Sequence, residues 1–149
     1  MSGFATGITI VTVHDTTKKA VGLTVNSLTS VSLDPPLVLF CLDKKAHVYP
    51  LFKKSGNFAV NILSAGQENV SRYFADYRHN PQPKNLWDRP QAGCPILRGT
   101  LGWIVCKTIK IYKGGDHDIF LAEAVKMKKT GEAEPLLYFR SRYRQIGKA

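Results

Sequence analysis

Apolar and β-branched residues fall in short runs separated by polar or Pro/Gly-containing stretches, and those runs set the expected elements. Ile8, Ile10, Val11 and Val13, with Thr9 and Thr12 between them, predict an opening strand. A polar turn over His14-Asp15-Thr16-Thr17-Lys18-Lys19 returns the chain as a second strand over 21–25. The almost unbroken apolar run over 37–42 predicts a third strand buried on both faces. Pro50 fits only the first turn of a helix and Gly56 its C-terminal stop, so a short helix is expected between them. A fourth strand follows at 58–63. Ser64-Ala65-Gly66-Gln67 then has the form of a capping box and opens a second helix ending near Ala75.

The stretch 76–95 carries Pro81, Pro83, Pro90 and Pro95 and reads as a long loop, of a length that is usually functional or mobile. β-character resumes at 101–112 and 119–127, on either side of Lys113-Gly114-Gly115-Asp116-His117. The two glycines permit positive φ, which holds His117 at a strand edge. A short strand at 136–139 leads into a basic tail. Six or more strands with two short helices predict a mainly β fold, a barrel with helical decoration.

At 149 residues the chain is expected to form one domain, 1–149, with a substantial core. An apolar fraction of 44% and a charged fraction of 21% exclude wholesale disorder. No apolar run approaches the roughly 20 residues that span a bilayer, and no basic-then-apolar leader opens the chain. Cys41, Cys94 and Cys106 are odd in number and widely spaced, which suits buried thiols in a reducing cytoplasm. The net charge of +10 raises nucleic acid as a partner. The basic residues are scattered, however, without a block or a nucleic-acid-binding spacing. Small anionic molecules are therefore the expected partners, neither nucleic acid nor membrane, and a basic barrel that reads RNA through exposed aromatics is the rival.

Chemistry concentrates in 24–36. Thr24, Ser27, Thr29, Ser30 and Ser32 supply five hydroxyls, and Asn26 an amide, within nine residues. Such groups, with turn N–H donors, bind phosphate or a polar ring edge without charge. They equally satisfy the backbone of a polar loop between strands. No nucleophile elbow, H-E-x-x-H or G-x-G-x-x-G occurs, and the four histidines are too dispersed to suggest a metal site.

Thr24-x-Asn26-Ser27-x-x-Ser30-Val31-Ser32-Leu33-Asp34-Pro35-Pro36 resembles the signature of the flavin reductase-like family. Phe4-Ala5-Thr6-Gly7-Ile8-Thr9, Phe58-Ala59-Val60-Asn61-Ile62-Leu63, Gly115-Asp116-His117-Asp118-Ile119 and Pro135-Leu136-Leu137-Tyr138-Phe139-Arg140 match in the same order. The resemblance implies a split Greek-key β-barrel, an FMN-binding split barrel, that dimerises with flavin near the interface. It also implies an NAD(P)H:flavin oxidoreductase that uses FMN or FAD with NADH or NADPH and passes reduced flavin to a monooxygenase. A non-catalytic flavin carrier on the same fold is the alternative.

Residue by residue, the resemblance puts Thr24, Val25, Asn26, Ser27 and Ser30 along the isoalloxazine edge and ribityl chain, with Val31 and Ser32 continuing the cradle. Lys45 and His47 stand where relatives carry small hydroxyl residues around the flavin phosphate, and they read equally as a solvated basic turn. Ser71, Arg72 and Phe74 are further candidates. His117 is the catalytic candidate, placed beside the nicotinamide and oriented by Asp116. Tyr138 and Arg140 close on the nicotinamide side. Trp87 and Trp103 are expected to pack rather than to stack on a ligand.

Overall fold

The structure is a computed structural model that describes residues 2–147. In chain order the strands are β1 (Thr6–Gly7), β2 (Thr9–His14), β3 (Ala20–Val25), β4 (Thr29–Leu33) and β5 (Pro36–Asp43). Helix α1 (Tyr49–Ser55), β6 (Asn57–Ile62), a 3₁₀ turn (Ala65–Gln67) and α2 (Glu68–Ala75) follow. The chain closes with β7 (Gly102–Gly114), β8 (His117–Lys129), β9 (Leu137–Phe139) and β10 (Arg142–Arg144).

Seven strands form an antiparallel sheet in the order β3-β2-β6-β7-β8-β5-β4, and β1-β9-β10 form a second, small sheet. β5 lies beside β8 rather than β6, which is the Greek-key arrangement. The large sheet curls around a core in which Phe40 stacks on Phe120 at 5.1 Å and meets Phe58 edge-on at the same distance. Val11, Val13, Leu42, Val60 and Cys106 complete that core.

The barrel is split. Among the described residues no backbone ladder joins β3 to β5. Ser27 bridges this seam: its Oγ accepts the Cys41 N–H at 2.9 Å and donates to the Cys41 carbonyl at 3.3 Å. One side chain thus stands in for a missing pair of ladder bonds.

Outside the barrel wall a second apolar cluster forms beneath α2 and the proline-rich loop, from Ile8, Ile10, Leu63, Val70, Phe74, Leu86, Leu97 and Leu136. Asn61, fully buried, pins that loop. Its Nδ2 donates to the Ile10 carbonyl and to Thr12 Oγ1, and its Oδ1 accepts the Leu97 N–H at 2.9 Å. Thr12 in turn donates to the Pro95 carbonyl at 2.6 Å.

Two expectations need revision. The apolar run in β5 is not buried on both faces: Phe40 and Leu42 enter the core, while Leu37, Leu39 and Cys41 stay half-exposed outside. The polar stretch after Asn26 is not all loop, because Thr29–Leu33 is an edge strand paired to β5. The basic tail also adds β10, whose Tyr143 packs edge-on against Tyr138 at 5.4 Å. Both helices and the capping box lie where the sequence puts them. In that box Gln67 Oε1 accepts the Ser64 N–H at 3.1 Å.

Candidate functional site

A cleft of about 650 Å³ opens between residues 4–9 and 26–29, with Ile62 on its floor. The N-terminal wall is held by β1, whose Thr6 and Gly7 pair with Tyr138 and Leu137 of β9. Inside, two groups await a ligand. Thr6 Oγ1 is buried with no partner in the protein, and the amide of the exposed Asn26 bonds to no other described residue. A ring edge rich in N–H and C=O suits this lining, so the cleft fits a flavin on its own chemistry.

The neighbours of Asn26 also have duties in the scaffold. Thr24 Oγ1 donates to the Ser71 carbonyl at 2.6 Å, tying β3 to α2. Val25 is a core residue, and Ser27 spends its hydroxyl on the seam. Ser30, Val31 and Ser32 sit on the edge strand β4, outside the cleft lining. Ser71 bonds Tyr143, Arg72 pairs with Glu68 at 2.6 Å, and Phe74 belongs to the second apolar cluster. Trp103 is buried beside Cys94 and Ile96, and Trp87 packs edge-on against Phe74.

A second hollow, about 460 Å³, carries charges of both signs, from Asp43, Lys45, Asp76 and Arg78. Leu23, Asp43, Lys45, Ala46 and His47 form one side and residues 75–78 the other, so Arg78 faces the two predicted phosphate contacts. Asp43 Oδ1 accepts the Lys45 N–H at 2.8 Å and shapes the turn. Asp76 steadies Arg78, accepting its backbone N–H at 3.1 Å and its Nε at 3.4 Å. Burial, and then the Arg78 charge, hold the His47 pKa below the usual histidine value, so its imidazole is neutral at pH 7. Arg78 was not legible from sequence: it lies beyond the end of α2, and only folding sets it opposite Lys45.

His117 opens β8 directly across from Asp43 of β5. The preceding Gly115 has φ of 77°, a conformation side chains resist, and this tight turn presents the Asp-His pair. His117 Nδ1 meets Asp116 Oδ1 at 2.8 Å, and that bond holds the Asp116 carboxyl below the usual range. The contact occupies Nδ1 and leaves Nε2 as the other polar atom of the ring. Lys44 stitches this turn to the basic loop. Its N–H donates to the Asp116 carbonyl at 3.0 Å, and its ammonium pairs with the buried Asp118 at 3.3 Å. Tyr49 donates to the other Asp118 oxygen at 2.5 Å, and both partners keep that carboxylate ionised. His117, Asp116, Lys45 and His47 are therefore gathered at one end of β5 and β8. Tyr138 lies on β9 of the small sheet and Arg140 in the turn that follows it; Arg140 has φ of 50° and donates its N–H to the Ser2 carbonyl at 2.7 Å. Among the described residues no cluster of His, Cys, Asp or Glu has the makings of a metal centre.

A split barrel with a polar cleft and a hollow that offers Lys45 and Arg78 is the form of a flavin-handling domain. The chain belongs to the flavin reductase like domain family, whose model matches residues 1–147. It is 37% identical to an NADH-dependent FAD reductase of Streptomyces globisporus, over 96% of this chain and 80% of that protein. It is 35% identical to the reductase subunit HsaB of a flavin-dependent monooxygenase of Mycobacterium tuberculosis, over 96% of this chain and 77% of the relative. Among solved structures, the S. globisporus NADH:FAD oxidoreductase SgcE6 in complex with NAD and FAD fragments superposes with a TM-score of 0.89. The identity is 37%, and the match covers 98% of this chain and 88% of that one.

Proposed function

We propose that this protein is an NAD(P)H-dependent flavin reductase that binds FMN or FAD across the cleft and the Lys45–Arg78 hollow. The observation that carries this reading is the polar cleft itself, with the orphaned Thr6 hydroxyl and the unpartnered Asn26 amide beside a niche of Lys45, His47 and Arg78. Asn26 and Thr6 bond the ring edge, with backbone groups of 26–29 completing the cradle. Lys45 and Arg78 meet the phosphate as cations, and His47 as a neutral donor.

When bound, the flavin ring supplies the acceptor for the hydride of the nicotinamide, and the protein's part is to hold donor and acceptor in register. His117 presents its imidazole Nε2 to the nicotinamide, while the Asp116 bond at Nδ1 fixes the tautomer. Lys44, anchored on Asp118, keeps that pair in register with the phosphate loop. Tyr138 and Arg140 close the nicotinamide side. The net charge of +10 draws both anionic substrates toward the surface.

The outer face of β4, β5, β7 and β8 exposes Val31, Leu33, Ile109 and Tyr112, with Leu33 at 90%. β4 also leaves one edge unpaired. An apolar face continuous with a free edge suits a second copy of the chain, and the protein acts as a homodimer. Its reduced flavin goes to a separate monooxygenase, a reading supported by the HsaB relative, the reductase subunit of a flavin-dependent monooxygenase. The three cysteines carry no disulfide, consistent with a cytoplasmic setting, and burial pushes the Cys106 thiol up to about 12. No described helix is long and apolar enough to cross a membrane. Titration with FMN, followed by quenching of flavin fluorescence, tests the reading. Saturable binding is expected, and an unquenched flavin signal overturns it.

A further inference from the structure

A carboxylate faces the barrel core where the fold does not call for one. Asp118 occupies the first buried position of β8, on the same face as Phe120 and Ala122, and is only 5% exposed. A buried carboxylate is costly unless paired. Well-packed apolar side chains in place of a buried ion pair are often as stable or more so, so stability alone gives no reason for a charge here.

The partners of Asp118 come from two other elements. Oδ2 accepts the hydroxyl of Tyr49, at the start of α1, at 2.5 Å. Oδ1 pairs with the ammonium of Lys44, in the turn after β5, at 3.3 Å. Behind Tyr49, the Lys53 ammonium lies 5.5 Å from the centre of its ring. Lys44 carries the connection onward. Its ammonium also donates to the Gly115 carbonyl, and its N–H donates to the Asp116 carbonyl at 3.0 Å. Those carbonyls belong to the two residues that precede His117. The His117 side chain is 43% exposed, and among the described residues its one hydrogen bond is to Asp116 in the same turn. Where the ring stands therefore depends on how firmly the turn is held.

We infer that Asp118, held in turn by Tyr49, is a positioning residue for the nicotinamide step: through the Lys44 ammonium it sets the turn from which His117 reaches the nicotinamide. The inference rests on the role of His117 proposed above. Orientation carries much of a hydride-transfer rate, so a loosened turn is felt in the nicotinamide kinetics and not in flavin affinity.

Asp118→Asn, Lys44→Met, Tyr49→Phe and the double variant Lys44→Met/Asp118→Asn are compared with the wild type and His117→Ala on the full chain. The kcat and KM for NADH and NADPH are measured at saturating FMN, beside the FMN dissociation constant. Asp118→Asn keeps the size of the side chain and an acceptor for Tyr49 but gives up the charge opposite Lys44. Asp118→Asn and Lys44→Met are each expected to lower kcat/KM for the nucleotide about tenfold, and Tyr49→Phe about threefold. In Asp118→Asn the FMN affinity should change by less than about twofold. The double variant should fall no further than the slower single one, because both changes cut the same connection. Wild-type nicotinamide kinetics in Asp118→Asn or in Lys44→Met overturn the inference. So do losses that multiply in the double variant, or an equal loss of FMN affinity in Asp118→Asn, the mark of a merely structural role. If Asp118→Asn does not fold, the exposed Lys44→Met decides by the same kinetics. A slowed His117→Ala beside unaffected Asp118→Asn and Lys44→Met removes the positioning role alone, whereas wild-type kinetics in His117→Ala remove the underlying reading as well.

Discussion

Asn26 and Ser27 are neighbours in one motif and both line the cleft, but of the two only the Ser27 side chain is bonded among the described residues. Ser27 holds the Cys41 N–H and carbonyl at the barrel seam. Ser27→Ala leaves that half-buried N–H without its partner, at a cost of about 1–3 kcal/mol. In a domain of this size each kcal/mol lowers Tm by roughly 2–4 °C, so a fall between about 2 and 12 °C is expected. Asn26 is exposed and bonds to no other described residue, so Asn26→Ala should change stability by less than about 0.5 kcal/mol. It removes one hydrogen bond to the flavin, worth about 0.5–1.5 kcal/mol, or roughly 2- to 13-fold in affinity. Thermal melts of the flavin-free proteins and FMN titrations at 25 °C read both effects. An unchanged Tm for Ser27→Ala refutes the seam argument, and unchanged FMN affinity for Asn26→Ala removes it from the site.

The remaining expectations concern the other end of β5 and β8. His117→Ala should raise the KM for NAD(P)H and lower kcat while flavin affinity stays constant, because the ring positions the nicotinamide rather than the flavin; wild-type kinetics would leave it without a role. FMN should bind more tightly than riboflavin, and that preference should shrink in Lys45→Ala and at high salt; equal affinities in the parent protein contradict a phosphate niche. His47 has a folded pKa below its unfolded value, so between those values the unfolded chain binds more protons and stability falls as pH drops below about 6.5. His47→Gln should remove that part of the acid sensitivity, seen as a smaller Tm drop between pH 7 and pH 5.5.

Much of this fold was legible because its signals are local. β-branched alternation marks β2, Pro50 and Gly56 bracket α1, and the Ser64–Gln67 box starts the 3₁₀ turn that leads into α2. What stayed hidden depends on partners distant in sequence. Thr29–Leu33 reads as polar loop because an edge strand with exposed faces needs no apolar alternation. Arg142–Arg144 reads as tail because its pairing partner, β9, is itself only three residues long. The long proline-rich loop gives no local sign that Asn61 and Thr12 will bind its far end. In the candidate site, motif matching marked Asn26, Lys45, His47 and His117 as proposed contacts, but it gave no sign that Thr24 and Ser27 also bond within the scaffold, since a hydroxyl looks the same in either role. Arg78 and Lys44 emerge only where β5, α2 and the β7–β8 turn meet.

The central claim is catalytic, and turnover tests it most directly. Purified protein is mixed with NADH or NADPH and either FMN or FAD, and loss of the nicotinamide absorbance is followed against a flavin-only control. The account predicts multiple-turnover oxidation of at least one nicotinamide nucleotide that saturates in flavin and is slowed in His117→Ala. Folded, flavin-binding protein that consumes neither nucleotide above the control would contradict it.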